Sequence, residues 1–350
     1  MKIILNNNYI TRNSKPFLIA EISANHNGNL KTAKKLILTA KKNGADAVKL
    51  QTYEEKTMTI KSNSKSFRIK DGLWKGYNMW SLFKKAKTPY KWHKELFSYA
   101  RKCKITCFST PFDETAVDLL EKLNCPFYKI ASYEMDCLPL LKKIAETRKP
   151  VIISTGMANL KQIKHSIKFL EKNGAKKIII LYCVTAYPAK IEDFNLKNIE
   201  ILKKTFKYPI GFSDHSTNMH IATSAVCMGA NVFEKHIAYE NQKKGFDIKF
   251  SIKGKEINHY KKNLIDAWKI TKNNYFYRSK SELENIKDKR SIFCIKKIKK
   301  NEKFTKNNIL CLRPNLGLNV KYYYNLLNKK SKFNINIGPI KKSQVFDLIK

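Results

Sequence analysis

Acidic residues are scarce in this chain: 28 Asp and Glu stand against 69 Lys and Arg in 350 residues, a formal net charge of +41 at pH 7. Glycine (12) and proline (10) are also few, which excludes a collagen-like repeat and a Pro/Gly-rich disordered chain. No Cys-x-x-Cys pair occurs among the eight cysteines (103, 107, 125, 137, 183, 227, 294 and 311). A chain this long needs no disulfide staples, so they are expected as reduced, mostly buried thiols. The longest apolar runs, such as Ile178 to Leu181 and Val151 to Ile153, fall far short of the roughly 20 residues that span a bilayer. Met1 to Ile10 is Asn-rich, without an apolar core and small-residue cleavage site. These absences predict a cytoplasmic protein with no transmembrane helix and no membrane partner. Clustered cations would suggest nucleic acid, but here the lysines are spread over the whole chain, at positions that suit a solvated surface. The charge is read as a general attraction for small anions, with no nucleic-acid partner.

What the chain does have is rhythm. Eight short apolar runs end in polar residues: Phe17-Ala20, Ala47-Leu50, Ile105-Phe108, Phe127-Ile130, Val151-Ile153, Ile178-Leu181, Ile210-Phe212 and Asn231-Phe233. They have strand length and strand composition. Segments with helical spacing lie between most of them, as in Leu36, Ile37, Ala40; Leu96, Phe97, Ala100; Val117, Leu119, Leu120; and Ile163, Ile167, Leu170. Gly44 and Gly174 stand where left-handed helix ends are expected. Nearly continuous apolar strands must be covered on both faces, so the class is α/β and the architecture a closed parallel (β/α)8 TIM barrel over residues 1–270. Residues 271–289 are polar and read as a linker. Residues 290–350, with strand-like Ser291-Ile295 and Phe333-Ile337, Lys-Asn turns, Gly317 and Gly338-Pro339, read as a small β-rich module.

In such a barrel the strands' C-terminal ends share one mouth. The residues there are Glu21, Ser23, Asn25, His26, Asn27 and Gly28; Lys49 and Gln51; Ser109 and Thr110; Lys129, Ser132 and Glu134; Ser154 and Thr155; Thr185 and Tyr187; Ser213, Asp214 and His215; Glu234, Lys235 and His236. Two lysines between apolar neighbours, with several hydroxyls, suit a phosphate or carboxylate ligand, because a buried ammonium without an anion is costly. His215 and His236 end neighbouring strands and can meet at a metal, leaving most of its coordination shell to substrate oxygen and water. His93, His165, His220 and His259 fall in helical segments and are given surface or packing roles. For His26, a tight strand-to-helix loop Asn-His-Asn-Gly and a site role both stay open.

Ala20-Glu21-Ile22-Ser23-Ala24-Asn25-His26, Val48-Lys49-Leu50-Gln51-Thr52, Phe108-Ser109-Thr110-Pro111-Phe112, Tyr128-Lys129-Ile130-Ala131-Ser132, Ser154-Thr155-Gly156-Met157, Gly211-Phe212-Ser213-Asp214-His215 and Glu234-Lys235-His236, in this order, resemble the sialic acid synthase family. Gly72-Leu73-Trp74-Lys75-Gly76, Thr88-Pro89-Tyr90-Lys91-Trp92-His93, Ser132-Tyr133-Glu134 and the hydroxyl at Thr185 are similar to its pseudaminic acid branch. The resemblance covers nearly the whole chain, and residues 290–350 resemble the family's C-terminal antifreeze-like (SAF) domain. Asn315 follows Arg313-Pro314 where the family usually has Gly, and no Thr-rich face suggests ice binding.

The resemblance implies a transferase that condenses phosphoenolpyruvate with a hexosamine in its open aldehyde form and releases phosphate. The sugar it implies is 2,4-diacetamido-2,4,6-trideoxy-L-altrose, with N-acetylneuraminate and legionaminate synthesis as alternatives within the family. It assigns phosphoenolpyruvate to Lys49, Thr110, Lys129, Ser132, Ser154 and Ser213. A divalent metal goes to His215 and His236, Mn²⁺ first, with Mg²⁺ or Co²⁺ as alternatives, and the reacting centre to Glu21 and Glu134. Gln51, Tyr187, Asp247 and Arg313 fall to the sugar, Arg313 reaching the other subunit of a domain-swapped homodimer, and Trp74 is added to them as a candidate from the residues themselves. From the residues alone, Trp74 reads equally as a wall for a 6-methyl group and as packing for a long loop, and Arg313 as a turn residue before Pro314. A reading from another class is a catalytically inactive basic protein that binds nucleic acid or anionic glycan.

Overall fold

The computed structural model describes residues 2–6, 8–273 and 275–349. The chain divides into two compact units, Met1–Asn273 and Asn274–Lys350. In the first, eight parallel strands run β1 (Phe17–Glu21), β2 (Ala47–Thr52), β3 (Thr106–Pro111), β4 (Tyr128–Ile130), β5 (Val151–Ser154), β6 (Ile178–Cys183), β7 (Ile210–Asp214) and β8 (Val232–Ala238). Each pairs with the next, and β8 pairs with β1, so the sheet closes. Every expected apolar run is a strand. The strands extend two to five residues beyond several of those runs, into the polar positions that face the mouth.

A helix follows each strand: α1 (Leu30–Lys42), α2 (Tyr90–Lys102), α3 (Glu114–Lys122), α4 (Leu138–Glu146), α5 (Leu160–Lys172), α6 (Lys197–Thr205), α7 (Met219–Cys227) and α8 (Glu256–Thr271). Their starts are set by side-chain caps: Asn29 accepts from Thr32 N, Asp113 from Ala116 N, and Asn159 forms a capping box with Gln162. Gly44 (φ 84°) and Gly174 (φ 112°) take the expected left-handed turns after α1 and α5. Leu36, Ile37 and Ala40 of α1 and Ile163, Ile167 and Leu170 of α5 are buried against the barrel, as their spacing predicts. An antiparallel hairpin, Ile3–Leu5 with Asn8–Ile10, adds Ile3, Leu5 and Ile10 to the same core. No helix among the described residues is long and apolar enough to cross a membrane.

The second unit is built on Ser291–Cys294, paired antiparallel with Ile309–Leu312, Leu318–Asn319 and Gly338–Pro339. Its core holds Ile292, Phe304, Ile309, Leu326, Ile335 and Ile340. Phe333-Ile337, expected as a strand, is not one. Only Ile335 is buried, in a single bridge to Ile298, while Phe333 and Ile337, which a strand would put on the same face, are exposed. Within 271–289, Thr271 completes α8, and Ser279 caps a short helix, Lys280–Glu284. All eight cysteines are free, but only Cys107, Cys125, Cys183 and Cys294 are buried, and Cys137 and Cys227 are exposed.

Candidate active site

Strand alternation decides which residues look into the mouth. On β2, Lys49 points inward: its Nζ pairs with Glu21 of β1, lies 3.4 Å from Glu234 Oε2 of β8 and donates to Thr110 Oγ1 of β3 at 3.0 Å. Lys129 of β4 reaches the same carboxylate from the far side, its Nζ 3.4 Å from Glu234 Oε1. Ser213 of β7 donates to that oxygen at 2.9 Å. Six strands therefore converge on one buried cluster, in which Glu21, Lys49, Thr110, Lys129, Ser213 and Glu234 are each at most 4% exposed.

The electrostatics follow from burial and pairing. Burial opposes charge on Lys49, but Glu21 and Glu234 together hold its pKa above the ordinary value. For Lys129 burial wins over Glu234, and its pKa is lowered. Burial works against the Glu234 carboxylate too, yet the two lysines keep it ionised, well below the usual range. Glu134, at the end of a short helical turn Ser132–Glu134 after β4, is pushed up to about 7 by burial, against the pull of Lys129 and Lys49.

Of the buried polar atoms here without a hydrogen-bond partner among the described residues, Glu21 Oε2, Glu234 Oε2 and His236 Nδ1 face an oppositely charged side chain, whereas Ser154 Oγ and Glu134 Oε2 do not. Such groups are costly unless a ligand satisfies them. Ser132 Oγ accepts from Gly156 N at 3.1 Å, which ties the β4 and β5 loops together.

Beside this cluster the imidazoles of His215 and His236 lie with ring centroids 5.6 Å apart. His215 Nδ1 is 2.9 Å from the Val184 carbonyl, and His236 Nδ1 is 3.3 Å from Asp247 Oδ2. A ring whose Nδ1–H faces an oxygen keeps its Nε2 lone pair for a metal. No group of three or more His, Cys, Asp or Glu able to hold an ion exists among the described residues. Two imidazoles are compatible with a divalent cation only if its remaining ligands come from water or substrate oxygen.

An aromatic wall rises from the imidazoles. Tyr187 packs on His215 (4.4 Å between centroids), Phe250 on His236 (4.7 Å), and Trp74 on Tyr187 (5.5 Å). Trp74 Nε1 also donates to Phe246 O at 3.3 Å, so the ring both lines this wall and ties down the long β2–α2 connection. Gln51 is half-buried, opposite Thr110 in the β2–β3 register. Asp247 sits beside His236, and its backbone N donates to Asn25 Oδ1 at 3.1 Å. Arg313 belongs to the second unit, exposed, before a cis peptide to Pro314. His26 is fully buried: Gly28 N donates to its Nδ1 and its Nε2 meets Thr88 Oγ1, so it builds the loop. His93 is a buried packing residue bonded to Thr52 Oγ1, whereas His165, His220 and His259 are exposed.

Two participants that the sequence placed at the mouth were given no role there. Glu234, the hub of the lysine cluster, was visible only as a strand-end residue; its position two before His236 was the signal that it shares that face. Asn25 holds the segment after Asp247 through Ser251 Oγ and Asp247 N while donating to Ile237 O.

Residues 36–275 match the NeuB family. The pseudaminic acid synthase of Helicobacter pylori is 40% identical over 328 residues, covering 91% of this chain and 94% of that protein. The N,N'-diacetyllegionaminic acid synthase of Campylobacter jejuni is 39% identical over 319 residues, covering 90% and 95%. The crystal structure of N-acetylneuraminic acid (sialic acid) synthetase from Leptospira borgpetersenii in complex with citrate superimposes with a TM-score of 0.73 at 30% identity, over 82% of this chain and 95% of that one. With a closed barrel, paired lysines and paired imidazoles at its mouth, and relatives of this similarity over nearly their full length, the chain belongs to the NeuB family.

Proposed function

We propose that the chain is a pseudaminic acid synthase, joining phosphoenolpyruvate to 2,4-diacetamido-2,4,6-trideoxy-L-altrose with release of inorganic phosphate. The observation that carries this reading is the convergence of Lys49 and Lys129 on one buried carboxylate beside the His215–His236 pair. Lys49, Lys129, Thr110, Ser132, Ser154 and Ser213 hold the phosphate and carboxylate, and the free Ser154 hydroxyl gains a partner when they do. A divalent metal, Mn²⁺ before Mg²⁺ or Co²⁺, held by His215 and His236, supplies Lewis-acid polarisation of the sugar carbonyl.

Bond formation runs from the enol methylene carbon to the aldehyde carbon. Positive charge then develops at the former enol carbon, where water adds, and the resulting tetrahedral centre breaks its C–O bond to phosphate. Glu134, poised near neutrality, fits the transfer of a proton at one of these steps, and Glu21 and Glu234 supply fixed negative charge where the cation develops. Trp74 and Tyr187 give the sugar's 6-methyl group an apolar wall. In the same proposal the enzyme works in the cytoplasm as a homodimer, with Arg313 serving the sugar of a second chain.

Phosphate release and product mass, measured with phosphoenolpyruvate and a panel of hexosamines, test the reading. Fastest turnover with the altro-configured sugar supports it. Preference for the isomer used in legionaminate synthesis, which the similarly close Campylobacter jejuni relative makes the second reading, or for N-acetylmannosamine, overturns the substrate assignment. Absence of any condensation, with salt-sensitive retention on polyanions, favours a binding protein.

A further inference from the structure

Behind the two imidazoles, on the outer side of the barrel wall, lies a second buried polar group. Asp214 and Lys235 are partners in the β7–β8 register, and each is followed immediately by a histidine. Lys235 Nζ lies 3.1 Å from Asp214 Oδ2 and donates to the carbonyls of Asp214 (3.3 Å) and Ser216. Those carbonyls stand one residue before and one residue after His215. A single ammonium thus grips the backbone on both sides of His215 while its own residue precedes His236.

Asp214 is fastened in turn. Its Oδ1 accepts from Ser216 N (2.8 Å) and Ser216 Oγ (2.6 Å), and its Oδ2 accepts from Tyr260 OH of α8 (2.9 Å). Asp214, Ser216, Lys235 and Tyr260 are each at most 2% exposed. A buried ion pair at a helix-packed position is a poor source of stability, since apolar residues of similar volume do as well or better there. Its distinctive effect here is geometric.

We infer that Lys235, locked by Asp214 and Tyr260, is a positioning residue that fixes the separation and orientation of the His215 and His236 imidazoles for one divalent cation. This rests on the metal-binding reading of those histidines. Groups that orient metal ligands typically govern affinity by 10–100-fold when altered.

The experiment is Mn²⁺ binding to the metal-stripped full chain, followed by electron paramagnetic resonance of free and bound ion, with circular dichroism reporting the fold. Lys235→Met is expected to weaken Mn²⁺ binding by ~10–100-fold and to change the zero-field splitting of whatever Mn²⁺ remains bound. Tyr260→Phe, which keeps the ring and both carbonyl bonds of Lys235, is expected to weaken it by a few fold and to alter the spectrum in the same sense. Folded Lys235→Met with wild-type affinity and spectrum overturns the inference. Should Lys235→Met not fold, a wild-type affinity and spectrum in Tyr260→Phe overturns it instead. His236→Ala separates the two levels: undiminished Mn²⁺ binding there removes the metal reading itself, whereas its loss beside intact binding in the Lys235 and Tyr260 variants removes only the positioning role.

Discussion

Lys129 Nζ and Glu234 Oε1 stand 3.4 Å apart in the barrel mouth, where the two side chains are 2% and 4% exposed. Lys49 shares the same carboxylate, so Glu234 is the common counter-charge of two buried ammonium groups. Glu234→Gln keeps the shape and removes that charge, and breaking a buried pair in this way costs about 3 kcal/mol or more. The expected result is a lower unfolding midpoint that added phosphoenolpyruvate raises more in the variant than in the wild type, because the ligand replaces the missing anion. Equal ligand-induced shifts in thermal unfolding would contradict this account.

Glu134 supplies a pH dependence whose sign is fixed. Its folded pKa of about 7 lies above the ordinary 4.5, so the folded protein holds a proton that the unfolded chain releases. That contribution to stability is complete below the ordinary carboxylate value and disappears as pH rises through about 7. Glu134→Gln is neutral at every pH. Urea unfolding at about pH 5 and about pH 8 should therefore show a smaller stability difference in the variant than in the wild type, and its kcat profile should lose the limb near neutrality.

Removal of divalent metal should abolish turnover and spare the fold, because the imidazole pair lies at the mouth and the core beneath is apolar. Chelation is expected to reduce phosphate release by ~100-fold or more, with Mn²⁺ restoring it and far-UV circular dichroism unchanged throughout. Full activity after exhaustive chelation would eliminate the metal from the proposal.

Trp74→Ala should act on the sugar alone. The indole touches Tyr187 and the Phe246 carbonyl and lies on the wall above the imidazoles. Loss of one apolar wall costs on the order of 10-fold in kcat/KM for the 6-deoxy sugar, with KM for phosphoenolpyruvate unaltered. A matching rise in both KM values would return Trp74 to loop packing only.

Gly211→Ala tests how tightly the barrel is closed. A Cβ there would stand 2.2 Å from the Val232 carbonyl oxygen and 2.5 Å from Leu181 Cδ2, and the first of these is strand backbone. The expected loss is about 3 kcal/mol, the upper part of the overpacking range, measured by denaturant unfolding.

The barrel was legible because its strands are runs of Ile, Val and Phe buried on both faces, and its helices carry their apolar residues at one spacing. Lys49 and Lys129 were legible for the converse reason, as charges inside apolar strands. The role of Glu234 was not, since Glu234-Lys235 presents two adjacent charges and only the phase of β8 decides that the first faces the mouth and the second the helices. The role of Asn25 was hidden because it acts through main-chain partners more than 200 positions away in sequence. Phe333-Ile337 misled because strand-like composition does not say whether a partner strand is there to pair with it, and only Ile335 finds one, in a single bridge.

The matching of Lys49 and Lys129 by Glu21 and Glu234 bears on how the cycle ends. With two ammonium groups already paired with two carboxylates, any anion must compete with Glu21 and Glu234 for them, and a departing phosphate does so without the carboxylate and other contacts of the whole substrate. Free orthophosphate is consequently expected to be a feeble inhibitor, and a strongly basic protein escapes being clogged by one of the commonest anions around it.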